Sequence, residues 1–267
     1  MKIVKTCSCT LAATLCVAAV SSALAAAPQN FCHGTNQPPT RFSVVQWNIG
    51  HFALGKRSRT TIAPEKSAER SAAYRAMIAR LKPDFLGVSE FDPIFDMAGR
   101  LSTNEVFSSF PTMILGPKNS YQCNALFTRF PCVRHEIVDY ALHRQNVYFI
   151  DSVFMFGTNE VHFVQSHLDW QRAADGQRYA MPQMRQLVTH FRDMPYVIIS
   201  ADFNVPDIGH FDAFKEAGYT VANDGRYSVL DNVVVKGFDV KELFAADEEC
   251  RLSDHRIVGC ILEMRQK

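Results

Sequence analysis

The sequence predicts an α/β domain in which two β-sheets pack face to face with helices on the outside. Three observations predict it. Short runs rich in Val, Ile and Phe alternate with longer amphipathic stretches. Two of the runs are joined by Gly157-Thr158-Asn159, a hairpin turn, so antiparallel pairs accompany the helical crossovers. No repeat of fixed period and no low-complexity linker divides the chain, so the many strands must share one domain.

The elements follow in order. Arg41 to Asn48 alternates as a strand, with Pro38-Pro39 as its lead-in. Pro64 to Leu81 is a helix, because Pro64 suits a first turn, Ala73, Tyr74, Met77, Ile78 and Leu81 form one stripe, and Pro83 stops it. Asp84 to Ser89 is a short buried strand, and Asp92-Pro93 is an N-cap and first helical residue. Strands are expected at 125–129, 147–156 and 161–167. Met181 to Phe191 is helical between Pro182 and Pro195. Tyr196 to Ser200 is a strand, Phe211 to Ala217 a short helix closed by Gly218, and 230–235 and 256–262 the last strands.

Composition sets bounds. With 267 residues, 47% hydrophobic and 21% charged, the chain has ample core and is neither disordered, collagenous nor a coiled coil. Its formal charge is +1, which provides no global field for nucleic acid and leaves a local basic patch open. Residues 1–25 read as a signal peptide that is removed: Lys2 and Lys5, then the apolar run Leu11 to Val20, then Ser21-Ser22-Ala23-Leu24-Ala25. The run is shorter than the ~20 residues of a membrane span. Leu15 before Cys16 does not fit a lipidation site. The expected organisation is therefore 1–25 removed, 26–40 as a lead-in and 41–267 as one domain, exported to a periplasm or secreted, with no stable membrane span.

Export would leave Cys32, Cys123, Cys132, Cys250 and Cys260 in an oxidising compartment. Cys250 with Cys260 is one candidate pair and Cys123 with Cys132 the next; the alternative is that these residues are small buried hydrophobes. No CxxC spacing exists in this part, so a thiolate zinc site is not expected.

Polar residues gather where strands end. Asn48, Glu90 and His167 close three strands, Asp202 and Asn204 follow a fourth, Asp231 and Asn232 open another, and Ser253-Asp254-His255 enter the last. Each has an ordinary structural reading, as a turn residue, a cap, a helix-terminal charge or a satisfied histidine. Together they are the set that sheet scaffolds hold at strand ends for chemistry. Oxygen donors suit a hard cation such as Mg²⁺ or Mn²⁺. A histidine on a carboxylate is a positioned base, and an amide can donate to a phosphoryl oxygen. The set therefore points to metal-assisted hydrolysis of a phosphoester by water.

Trp47-Asn48-Ile49, Ser89-Glu90, Asn124 through Arg129-Phe130-Pro131, Ser166-His167-Leu168, Asp202-Phe203-Asn204, Leu230-Asp231-Asn232-Val233 and Ser253-Asp254-His255-Arg256 occur in this order. In these motifs the chain resembles the endonuclease/exonuclease/phosphatase superfamily over about residues 41 to 263. The resemblance implies an α+β four-layer α/β/β/α sandwich of two packed mixed sheets, and a metal-dependent phosphoric ester hydrolase. It implies Glu90 as main metal ligand with Asn48 beside it and Asp254 sharing the shell. It makes His255 the base or phosphate partner, with Asp231 orienting its ring. Asp202 would align or deprotonate the water, Asn204 donate to the transition-state oxygens, and His167 contact the phosphate on the leaving-group side. One-metal and two-metal mechanisms both fit. Cys123 stands where the family often has Gly, and Asn232 where an aromatic residue or His is common; neither is a proposed catalytic group.

Other patterns were weighed. Gly50 to Lys56 matches most of a P-loop, but Arg57 stands where Ser or Thr must bind Mg²⁺. Lys56, Arg57 and Arg59 are either surface charge or a substrate-phosphate contact. Trp170, Gln171 and Arg172 either line the pocket or cover the core. No Gly-x-Ser-x-Gly supports a serine hydrolase. The expected function is an exported phosphodiesterase acting on a small molecule, lipid headgroup or nucleic acid, with no obligate protein partner. A secreted nuclease is the alternative, and an inactive ligand-binding relative the alternative from another class. Phe107, Phe110 and Met113 would serve a lipid-headgroup enzyme if exposed.

Overall fold

The computed structural model describes residues 31–32, 34, 36–50, 64–91, 106–117, 123–143, 147–246 and 252–265. The signal-peptide segment, the Lys56, Arg57 and Arg59 cluster, Asp92-Pro93 and Cys250 lie outside these residues. In chain order the elements are β1 (Phe31–Cys32), β2 (Arg41–Asn48), α1 (Pro64–Leu81), β3 (Phe85–Phe91), β4 (Thr112–Leu115), β5 (Cys123–Thr128), β6 (Arg134–Asp139), β7 (Tyr148–Phe156) and β8 (Asn159–His167). They continue as α2 (Ala180–His190), β9 (Val197–Asp202), a 3-10 turn (Ile208–Phe211) running into α3 (Asp212–Glu216), β10 (Thr220–Val221), β11 (Asp231–Lys236), β12 (Phe238–Ala246) and β13 (Ile257–Met264).

Two mixed sheets form. One has the order β1-β4-β5-β3-β2-β13-β12, the other β10-β11-β9-β8-β7-β6. Each contains one parallel pair, β2 with β3 and β8 with β9. A parallel pair needs a crossover, and the crossovers contain α1 and α2, which is why one helix covers the outer face of each sheet.

Three apolar clusters fill the three interfaces. Tyr74, Met77 and Ile78 of α1 pack on Val45, Trp47, Leu86 and Val88. Met184 and Leu187 of α2 and Phe214 of α3 pack on Phe149, Val164, Ile199 and Val234. Between the sheets lie Phe42, Val44, Phe85, Ile150, Phe154, Phe163, Ile198, Val233 and Val235. The result is the four-layer α/β/β/α sandwich that the resemblance implied.

Alternation along the strands sends every second residue to this middle layer. On β2 the inward series is Phe42, Val44, Gln46, Asn48; on β8 it is Phe163, Gln165, His167; on β9 it is Ile198, Ser200, Asp202. The middle layer thus grades from aromatic, through buried amide and hydroxyl, to the charged strand ends.

Several details differ from the sequence reading. The strands at 112–115, 134–139 and 238–246 had no sequence signal. The first is short, the second is exposed along nearly all its length, and the third is an edge strand of half-buried residues. Phe107, Phe110 and Met113 are buried against α1 and offer no lipid-facing surface. Cys123, Cys132 and Cys260 are thiols, so neither candidate disulfide is formed. Cys123 packs in the α1-side core and Cys260 between the sheets, where burial pushes its thiol up. They are the small buried hydrophobes of the alternative reading.

Gly87 makes room for the polar part of the middle layer. A Cβ there would meet Gln165 Oε1 at 1.9 Å and Ser200 Oγ at 2.3 Å. Gly87→Ala is therefore expected to destabilise the protein by about 1–3 kcal/mol, read as a lower urea midpoint at unchanged m-value.

Candidate active site

The carboxyl ends of the two parallel pairs meet above the middle layer. Asn48 closes β2 beside Ser89 of β3. Beyond Ser89 the β3–β5 register slips between Val88 and Phe91, and Glu90 takes φ +57. A bulge of this kind re-aims a side chain, and left-handed non-glycine residues are over-represented at functional sites. In the other sheet His167 lies opposite Asp202, and Asp202 opposite Asp231. Asn204 is also left-handed, at φ +52.

The segment before β13 is laced to the same place. Tyr74 of α1 donates its hydroxyl to the Leu252 carbonyl at 2.6 Å. Ser253 Oγ donates to the Asn48 carbonyl at 2.5 Å and accepts from the His255 amide at 3.1 Å. Asp254 lies against the turn after β2, since a Cβ on Gly50 would stand 3.1 Å from its Oδ1.

Asp202 is the hub. Its Oδ2 accepts from Asn48 Nδ2 at 2.9 Å, and its Oδ1 from the Asn204 amide at 3.0 Å. His167 Nε2 stands 3.6 Å and His255 Nδ1 3.8 Å from Oδ2. His255 Nδ1 bonds Asp231 Oδ2 at 2.7 Å. The structure thus joins Asn48, His167, Asp202, Asn204, Asp231 and His255 through direct contacts. It sets Glu90 one residue beyond Ser89, the register partner of Asn48, and Asp254 against Gly50.

Asp202 and Asp231 are each 1% exposed and directly opposed. Burial, and then the charge of Asp202, raises the Asp231 carboxyl to about 6, against the pull of His255 and Gln46. For His255, burial lowers the imidazole pKa. The hydrogen bond and charge of Asp231, with Asp202 and Asp254, outweigh burial and raise it to about 10. The pairing favours the protonated ring, commits Nδ1–H to Asp231 and leaves Nε2 facing the site.

Sequence reasoning missed the layer beneath. Gln46 Nε2 reaches Asp231 Oδ1 at 3.3 Å and Ser89 Oγ at 3.2 Å. Its Oε1 accepts from Ser200 Oγ at 2.7 Å and Gln165 Nε2 at 3.3 Å. Ser89 passes its hydroxyl to the Ser166 carbonyl at 3.2 Å. These side chains are buried and bind the two sheets together under the site. The signal was there, as Gln46 and Gln165 occupy the inward phase of otherwise apolar strands. Trp170 is 52% exposed, so it does not cover the core.

The donor chemistry fits a divalent cation. Asn48 Oδ1 takes one hydrogen bond, from Gly50 at 3.0 Å, and keeps a lone pair beside two carboxylate-bearing neighbours. Asp202, Asp231 and His255 also offer ligand atoms within 4.8 Å of one another, but Nδ1 of that histidine is spent on Asp231.

The raised His255 pKa has a stability consequence. Folded-state protonation above the ordinary value of 6.5 stabilises fully below that pH and is lost as pH rises through about 10. In EDTA, the melting-temperature gap between wild type and His255→Gln is expected to narrow steadily from pH 7 to 10.5. A constant gap would contradict the ion pair.

Residues 45–255 match the model of the Endonuclease/Exonuclease/phosphatase family. No curated protein matches the sequence. Among solved structures, D. rerio TDP2 complexed with single strand DNA product is similar at a TM-score of 0.64 and 13% identity, covering 84% of this chain and 99% of that one. The human Nocturnin catalytic domain with bound sulfate anion matches at 0.64 and 18%, covering 84% and 94%. A Beutenbergia cavernae endonuclease/exonuclease/phosphatase matches at 0.63 and 15%, covering 84% and 72%. With its motifs in register and its fold in place, the chain belongs to the Endonuclease/Exonuclease/phosphatase family, whose members are metal-dependent phosphoester hydrolases.

Proposed function

We propose that this chain is an exported phosphodiesterase in which Glu90, Asn48 and Asp254 hold Mg²⁺ or Mn²⁺ and Asp202 directs water onto phosphorus. The observation that carries this reading is the convergence on Asp202 of Asn48, His167 and His255 from three separate segments, with Asn204 from its own turn. A cation held by these residues would supply Lewis-acid polarisation of the phosphoryl oxygens. Asp202, held through both oxygens, orients the water and takes its proton. His255 is the base or phosphate partner, with Nε2 left to act because Nδ1 is held by Asp231. Asp231 fixes the ring through Nδ1. Asn204 uses one Nδ2 hydrogen on the Leu168 carbonyl at 2.8 Å and keeps the other for the charge that builds on phosphorus. His167 serves the leaving-group side.

Export is supported by the Met1–Ala25 pattern. Among the described residues no helix is long and apolar enough to cross a membrane. The second reading is a nuclease, favoured by the single-strand DNA product in the similar TDP2 structure. The intact set of catalytic residues argues against an inactive binder.

The test is an assay of the mature protein with Mg²⁺, Mn²⁺ or EDTA on a chromogenic diester, plasmid DNA, single-stranded nucleic acid, sphingomyelin and inositol phosphates. Metal-dependent turnover is expected on at least one. Removing His255 as Ala should cost at least about 100-fold in kcat, and Asp231→Asn about 10–100-fold. Glu90→Ala should abolish metal-dependent turnover. Activity that persists in both His255→Ala and Glu90→Ala would remove the assignment. N-terminal sequencing of exported protein should begin at Ala26; an intact Met1 would refute export by cleavage.

A further inference from the structure

Beside the phosphate site lies an open cavity of about 470 Å³ whose lining includes Arg172, Arg178, Arg185 and His210. None of its lining residues is acidic. The nearby carboxylates are turned to their own loops: Asp207 Oδ1 accepts from the Gly209 amide at 2.7 Å, and Asp175 Oδ1 from the Gln177 amide at 2.9 Å. The wall of the cavity touches the site already described, because Arg178 donates to the Asn204 carbonyl at 3.4 Å.

Two features make this more than surface charge. Arg172 and Arg178 are bridge partners across the small hairpin between β8 and α2. Like charges placed directly opposite one another destabilise a pairing unless an anion lies between them. One guanidinium nitrogen of Arg172 is used on the Gly176 carbonyl at 2.7 Å, which steadies the fork and leaves its other donors. The cavity also includes Met181, in the first turn of α2. That turn has no acidic residue, so no carboxylate there offsets the arginines. Arginine forks match phosphate geometry in a way that a diffuse cationic surface does not.

We infer that this cavity binds a second phosphate of the substrate, so that the enzyme prefers phosphodiesters that carry a further phosphate next to the scissile one. The inference rests on the phosphodiesterase reading and narrows its substrate class. Two sources supply such a group, a neighbouring phosphate of a nucleotide chain and a ring phosphate of an inositol diester.

The experiment compares matched pairs. One pair is thymidylyl-thymidine with and without a 5′-phosphate; the other is glycerophosphoinositol with and without a ring 4-phosphate. The wild type is expected to favour the phosphorylated member of one pair by about tenfold or more in kcat/KM, mostly through KM. Arg172→Gln and Arg185→Gln should each reduce that ratio severalfold, and the double variant should bring it near one. Lys236→Gln is the control for loss of charge elsewhere. Lys236 pairs with Val197 at the other end of β9 from Asp202, and it should keep the ratio. Equilibrium binding of the same pairs to metal-free protein in EDTA is the second readout. If neither these pairs nor any substrate of the first assay is hydrolysed, the phosphodiesterase reading fails, while the subsite still stands or falls on the binding ratio. A wild type that does not discriminate within either pair, or arginine variants that keep the ratio, would overturn the inference.

Discussion

The site depends on two buried aspartates forced to face each other. β9 and β11 pair so that Asp202 and Asp231 are directly opposed, and neither is exposed to water. Two carboxylates in that position repel, and burial raises the cost of each charge. The surroundings offset this with directed hydrogen bonds. Asn48, the Asn204 amide and His255 serve one or the other, and Gln46 reaches Asp231 from below. Without the opposition, His255 would lose the added pull of Asp202, and the buried amide in the middle of β2 would have one carboxylate fewer to answer. Much of the polar chemistry in the molecule is a response to this one cross-strand pair.

The architecture explains why such a pair can exist. Each sheet contributes one parallel pair and one crossover helix, and in both the carboxyl ends point to the same end of the sandwich. Antiparallel β11 and β13 run the other way, so their first residues, and the loop before β13, arrive at that end too. The groups are therefore gathered by topology and not by any long loop. Beneath them the inward faces grade from phenylalanine to glutamine and serine before reaching charge, which lets a site bear two carboxylates on an otherwise apolar core.

Much of this was legible in the residues. Pro64 and Pro83 bracket a stripe that no strand would produce, and α1 spans Pro64–Leu81 as read. The strand-end polar residues were visible because each interrupts an apolar run. What could not be read has physical reasons. A glutamine at alternate phase in a strand is as well placed for solvent as for a sheet–sheet interface, so the inward phase of Gln46 and Gln165 became decisive only once the second sheet was in position. The strand Arg134–Asp139 has an apolar residue at only two places and is exposed along most of its length, so it carries no alternation to detect. The cysteine pairings failed because closeness in sequence does not place sulfurs together. Cys123 points to the α1 side of its sheet while Cys132 packs against the middle layer, and Cys250 lies outside the described residues.

The division of the site between the sheets has a mechanical meaning. Asn48, Glu90 and the His255 loop ride on one slab, while His167, Asp202 and Asp231 ride on the other. The aromatic filling and the hydrogen-bonded seam above it hold the slabs in alignment near the site, with further bonds such as Asn124 to Tyr148 away from it. A slide of one against the other by even a side-chain width would pull the hub aspartate away from Asn48 long before either slab lost its own strands. Catalytic competence therefore gauges the alignment of the interior, and it should fade while circular dichroism still reports an intact protein.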